Sequence, residues 1–291
     1  GSNTLIGRYA GIYASNTNSC IAIGNTALAG PAPFTDATCD TGSNTTVACG
    51  SSSTIAVGQY VTGSGIPAGT TVATVNSAGS VTSFTISQAA TTSLTDTTLT
   101  FWGNTGDNNI AIGHNTMDAI TTGTRNVAIG AESTTTLSSG NDTVAVGHNA
   151  LNAFTGSNAT AVGSYAANAA VGNVSLTAVG YNALGAATSG NNNTALGAYA
   201  LDASIDGANN TAVGTGSLSA DCVSDNVALG NSALAAFTGS NATAVGSGAA
   251  AVATAGDPTA IGQGALATMG SGVENVAVGC LYWRQEHSRW P

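Results

Sequence analysis

The chain has 291 residues, enough for one or two ordinary globular domains, yet only 6% are charged, against about 25% in a typical soluble domain, and lysine is absent. Its formal net charge is −10, and its four basic residues, Arg8, Arg125, Arg284 and Arg289, are dispersed or terminal, so no basic face exists to neutralise phosphates. An ordinary globular enzyme, a nucleic-acid partner and membrane insertion are disfavoured, the last because no apolar run approaches about 18 residues; Val, Ile and Leu recurring in register disfavour disorder as well.

The chain opens, without the charged-then-apolar pattern of a leader, on Asn3-Thr-Leu-Ile-Gly7, which reads as a mature or excised portion already in repeat register. An aliphatic residue directly before glycine then recurs at Gly24, Gly113, Gly130, Gly147, Gly163, Gly180, Gly197, Gly214, Gly230, Gly246, Gly262 and Gly279, which with Gly7 makes 13 copies. Every step but one is 16 or 17 residues. A period this short predicts an all-β fold, a parallel β-roll or β-solenoid with one supersecondary unit per turn.

The exception is the step from Gly24 to Gly113, 89 residues, or one 17-residue step plus 72. Removing 31–102 restores the register by joining Gly30 to Gly103. The chain therefore divides into repeats over 1–30, an inserted domain over 31–102, repeats over 103–279, and a cap or junction over 280–291. Within the insert, five stretches rich in Thr, Val, Ile and aromatics (45–49, 54–62, 70–75, 81–87 and 97–102) are parted by Gly, Pro, Asn and Ser. This predicts a small antiparallel β domain. Thr54-Ile-Ala-Val-Gly58 mimics the repeat motif but has no companion one period away.

Within a repeat, the residue before the glycine is Ile, Val or Leu and the one before that is almost always Ala, an alternation that predicts a strand. Two variable residues and then often Ala-Leu follow, as at Ala150-Leu151 and Ala183-Leu184, predicting a second inward-facing segment; the remaining polar residues form a loop that absorbs the one-residue length changes. So few aliphatics per turn make a thin core. With the Ala row read as the outer face of the strand and in need of cover, a homotrimer is expected, its 13 turns spaced about 4.8 Å apart to give a rod on the order of 60 Å long. Asn four residues before the glycine, in seven copies, suits a turn whose amide bonds the backbone or stacks on the next Asn.

Chemistry-bearing residues are sparse. Cys39 and Cys49 are placed in a Thr/Ser/Gly-rich loop, where a small disulfide ring is one reading; Cys20, Cys222 and Cys280 are isolated. With no C-x-x-C pair and no histidine near the cysteines in sequence, no metal site and no cofactor are expected. The close acidic pairs, Asp202 with Asp206 and Asp221 with Asp225, fall in polar loops and do not recur one turn away, so no catalytic residue is assigned. His114 and His148 sit two turns apart at matching corners. Tyr60 and Phe84 in the insert are the candidate receptor-binding residues, and Trp283 and Trp290 the candidates for end-to-end contact between copies.

The motif Asn-(Val/Thr)-Ala-(Val/Ile)-Gly followed by x-x-Ala-Leu resembles the head repeats of trimeric autotransporter adhesins of the YadA type, and those of bacteriophage tail fibres and appendages. The resemblance covers about three quarters of the chain. It implies a left-handed, trimeric β-roll that binds surfaces rather than catalysing, outside the cell, on a virion or a cell surface. Val57-Gly-Gln-Tyr-Val-Thr-Gly-Ser-Gly-Ile-Pro-Ala-Gly-Thr-Thr-Val72 resembles a small β module of phage virion proteins. The expected function is therefore a structural and adhesive fibre segment with a carbohydrate or protein receptor. The alternative is a subunit of a self-assembling head-to-tail extracellular filament, since an uncovered solenoid edge invites pairing with another copy.

Overall fold

A computed structural model describes residues 3–11, 19–30, 33–52, 55, 57–76, 81–102, 106–172, 175–254, 256–268 and 275–280. All its regular elements are strands: β1 (Thr4–Ile6) and β2 (Ile21–Ile23); then β3 (Phe34–Thr41), β4 (Thr46–Ser52), β5 (Tyr60–Gly63), β6 (Val72–Val75), β7 (Val81–Ile86) and β8 (Leu94–Trp102). Next come β9 (Ile110–Ile112), β10 (Val127–Ile129), β11 (Val144–Val146), β12 (Ala159–Val162), β13 (Leu176–Val179), β14 (Asn193–Leu196), β15 (Thr211–Val213), β16 (Val227–Leu229), β17 (Thr243–Val245), β18 (Thr259–Ile261) and β19 (Val276–Val278). The fold is a parallel β-solenoid with a small antiparallel sheet, as the period requires. The solenoid strands follow in the order β1-β2-β9 and onward to β19, and the other six form a sheet ordered β5-β8-β3-β4-β7-β6.

The chain forms two compact units, 1–159 and 160–291. In the first, Ile21 pairs with Ile110 and Ala22 with Ala111 across β2 and β9. The turn before the insert thus bonds directly to the turn after it. The ladder continues beyond the strands, from Gly113 N to the Ile23 carbonyl and from Leu28 N to the Thr116 carbonyl, both at 2.8 Å. The antiparallel strands begin at Phe34 and end at Trp102, inside the predicted bounds. Excision of 31–102 is expected to leave the parallel β structure in place, and loss of the β signal in circular dichroism would show instead that the insert nucleates the coil.

In the second unit the register is uniform. Thr194 pairs with Thr211 and Ala195 with Ala212, and the pattern runs on to Ala260 with Ala277. All thirteen corner glycines have φ between +124° and +143°. At Gly197 a Cβ would stand 2.6 Å from the carbonyl carbon and oxygen of Gly214, one turn on. Stacked corners leave no room for a side chain. A second glycine row, missed in the sequence reading, lies in the polar loops: a Cβ at Gly190 would come 2.0 Å from the Gly207 carbonyl oxygen.

The core reverses one sequence expectation. The Ala row before the corners, including Ala22, Ala111, Ala128, Ala195, Ala212 and Ala244, is wholly buried within the chain. It faces the residues after the corner, among them Leu151, Leu184, Leu201 and Leu234, which are also wholly buried. Those leucines follow the corner in a run of turns with left-handed backbone, not a second strand, with φ between 51° and 54° at these four. The Ala is therefore the inner face, not the outer. A coil this narrow accommodates a methyl group under each strand because leucine fills the opposite wall, and the larger Ile, Val and Leu beside each corner turn outward. Phe154 and Phe237 lie at matching positions in this core and are wholly buried.

The inner ends of the loops are closed by the asparagines. Asn126 donates from Nδ2 to the Gly140 carbonyl at 2.8 Å, accepts from Thr143 N at 3.0 Å, and donates from its own N to Asn109 Oδ1 at 3.0 Å. Each amide joins successive turns. Cys20 takes this place in the second turn, where its sulfur accepts from Asn109 N at 3.4 Å.

Candidate functional sites

The outward face of the parallel strands is the most extensive unusual surface. In the second unit one column carries Thr, replaced by Val at Val227 and Val276, and the next carries Val, Leu or Ile. Leu196, Leu229, Val245 and Ile261 are 37–47% exposed, and no strand on this face contributes a charged residue. Ile129 is equally exposed in the first unit. Scattered exposed aliphatics are ordinary; here they form a column repeated turn after turn.

A second feature of the 160–291 unit was not foreseen. Tyr165, Tyr181 and Tyr199 fall at successive corners and form an edge-to-face row, with ring centroids 6.2 and 5.2 Å apart. Tyr181 and Tyr199 are exposed. The available signal was their recurrence at 16 and 18 residues, hidden because Tyr181 is displaced one position toward its glycine.

In the insert, the sequence candidates separate. Phe84 is 2% exposed and packs edge-to-face on Phe101 at 5.5 Å, so it belongs to the core and is withdrawn as a receptor contact. Its inward direction follows from the alternation of β7, which buries Phe84 and Ile86 together. Tyr60 is half-buried on β5, and its hydroxyl accepts from Gly69 N at 3.1 Å, tying down the Pro67–Gly69 turn. Its polar end thus has a structural role within the insert.

Cys39 and Cys49 do not lie in a loop. The first is on β3, a strand the sequence reading missed because its two aspartates mask the Phe-Thr-Ala-Thr-Cys pattern, and the second is on the neighbouring β4. Pairing of Asp40 with Ala48 and Thr41 with Val47 sets Cys39 opposite Cys49. Both are free thiols, so the disulfide that was one reading of the pair is not formed, although its partners are brought together. Cys39 is wholly buried, and Cys49, partly buried, donates to the Val81 carbonyl at 3.7 Å. Burial, and next the nearby Asp36 carboxylate, push both thiols above the ordinary range.

Of the two acidic pairs, Asp221 with Asp225 serves the loops. Asp221 accepts from Ile205 N at 3.0 Å and Asp225 from Asn209 Nδ2 at 3.0 Å. His114 and His148 are exposed at their corners, and neither belongs to a group of metal-ligating side chains among the described residues. Trp283 and Trp290 lie outside the described residues. No helix among those residues is long and apolar enough to cross a membrane.

Comparison with protein-family models, with curated proteins and with solved structures finds no match.

Proposed function

We propose that the chain is a subunit of a homotrimeric structural and adhesive fibre segment, a virion tail fibre or surface adhesin, that binds a carbohydrate or protein receptor outside the cell. The observation that carries this reading is the outward column of half-exposed Val, Leu and Ile beside the corners. Covering each such side chain stabilises by roughly 1 kcal/mol, since full burial of one is worth about 1.5–3 kcal/mol. The column repeats with every strand, so the contact grows with the coil. A second copy of the same chain has the same period and matches it turn for turn. The resemblance to trimeric adhesin head repeats favours three copies around one axis, and it favours adhesion over catalysis.

Leu229→Glu combined with Val245→Glu places two carboxylates in the column on neighbouring strands, β16 and β17. Because these side chains are already exposed in the single chain, the substitutions are expected to leave its circular dichroism unchanged while converting a trimer to a monomer in analytical ultracentrifugation. A parent chain that sediments as a monomer at micromolar concentration would sink the trimer. Adhesion is tested separately by binding the trimer to glycan arrays and to intact cells. Electron microscopy of the same sample separates discrete short rods, expected here, from the long fibres of a head-to-tail filament.

A further inference from the structure

The Asp36, Cys39 and Cys49 side chains form a cluster in the insert that the adhesive reading does not use. Their ligand atoms, one carboxylate oxygen and two sulfurs, lie within 4.8 Å of one another. Strand alternation alone would send Asp36 and Cys39, three residues apart, to opposite faces of β3. The pairing of β3 with β8 shifts register between these two residues, and that irregularity turns both toward the same place.

Asp36 is also held. Its Oδ1 accepts from Thr38 N at 2.9 Å and from Thr38 Oγ1 at 2.7 Å. Thr38 Oγ1 in turn accepts from Gly50 N at 2.7 Å, so the residue after Cys49 is tied to the carboxylate that faces it. Hydrogen bonds of this kind orient the ligands of metal sites. No basic side chain of the insert answers the three groups, since 31–102 contains Asp36, Asp40 and Asp96 and no Lys, Arg or His.

We infer that Asp36, Cys39 and Cys49 are a binding site for one thiophilic divalent cation of the zinc class. Two thiolates and a carboxylate suit such an ion, with about 2.3 Å to sulfur and 2.0–2.2 Å to oxygen, leaving a fourth tetrahedral position for water. Binding releases the two thiol protons to solvent, the Cys49 proton leaving the Val81 carbonyl. Small side-chain rotations draw the three atoms in to tetrahedral separations. The ion offsets the charge of the carboxylate and of the two thiolates that form on binding, in an insert that holds no basic side chain. A Cys39–Cys49 disulfide would use only two of the three groups.

The test is a cadmium titration of the full chain under reducing, metal-stripped conditions, following the ultraviolet sulfur-to-cadmium charge-transfer band. One ion per chain is expected. Cys39→Ala and Cys49→Ala should abolish the band. Asp36→Asn, which leaves both sulfurs in place, should weaken binding about tenfold or more. Cys280→Ala, removing the exposed thiol elsewhere, should change nothing. Circular dichroism of each variant guards against loss of the fold, and Asp36→Asn alone suffices if the cysteine variants fail to fold. The proposal is overturned by absence of the band, by a band that survives both cysteine substitutions, or by unchanged affinity in Asp36→Asn. It is also overturned if the chain is isolated with a mass lower by two hydrogens that reductant restores, which would make the pair a disulfide.

Discussion

Gly197→Ala is expected to destabilise the coil by at least about 3 kcal/mol, because it combines a backbone conformation that side chains scarcely adopt with a clash against backbone. Gly197 has φ of +143°, and its Cβ would meet C and O of Gly214 at 2.6 Å and Thr215 N at 3.0 Å. None of these atoms is the end of a flexible side chain. They are held in turn, since Gly197 N donates to Val179 O and Gly214 N to Leu196 O, each at 2.7 Å. Relief therefore requires that two turns separate. Gly248 supplies the contrast: its φ is +68°, an added Cβ meets nothing within 4 Å, and Asn occupies the same place after the corner at Asn149 and Asn182. Gly248→Asn is expected to change stability by less than about 0.5 kcal/mol. Urea denaturation followed by circular dichroism checks both, and equal losses in the two would refute the stacking argument.

What the residues disclosed by themselves was whatever repeats. The spacing of aliphatic-Gly pairs located every parallel strand and corner, and arithmetic on the one irregular step placed the insert, because a solenoid must return to register however long the excursion. The direction of the strand faces was misread for a physical reason. In a broad sheet the larger aliphatics face the core, but here the wall opposite is already filled by Leu184, Leu201 and their equivalents, so only Ala fits beneath the strand. The Asp36, Cys39 and Cys49 cluster was illegible because it depends on pairing between β3 and β4 and on an irregularity against β8. Neither leaves a spacing signature. Phe84 was misassigned for a related reason. An aromatic residue flanked by Ser and Thr looks exposed until the partner strands are known.

The asparagine ladder makes the other large effect. Asn210 is wholly buried; it donates from N to Asn193 Oδ1 at 2.9 Å and from Nδ2 to the Val223 carbonyl at 2.8 Å, while its Oδ1 accepts from Asn226 N at 3.0 Å. One side chain thus satisfies backbone groups in two places, where the polar loop enters the coil and where the next strand begins. Asn210→Ala leaves the buried Asn226 N and the part-buried Val223 carbonyl without this partner. Each orphaned group costs about 1–3 kcal/mol, so a loss of roughly 2–5 kcal/mol is expected. Asn210→Asp keeps the acceptor for Asn226 N but, once ionised, loses the donor to Val223 and buries a charge. Burial raises the folded-state pKa of the introduced carboxyl above its unfolded value of about 3.9, so the folded state holds the proton more tightly. The acid form restores an O–H donor toward Val223. The Asp variant should therefore approach the parent below about pH 4 and lose stability as pH rises through the folded pKa, whereas the Ala variant shows no such recovery relative to the parent. Urea midpoints measured across that range decide the matter: parallel profiles for the two variants would mean that the carboxamide is not the strut between turns.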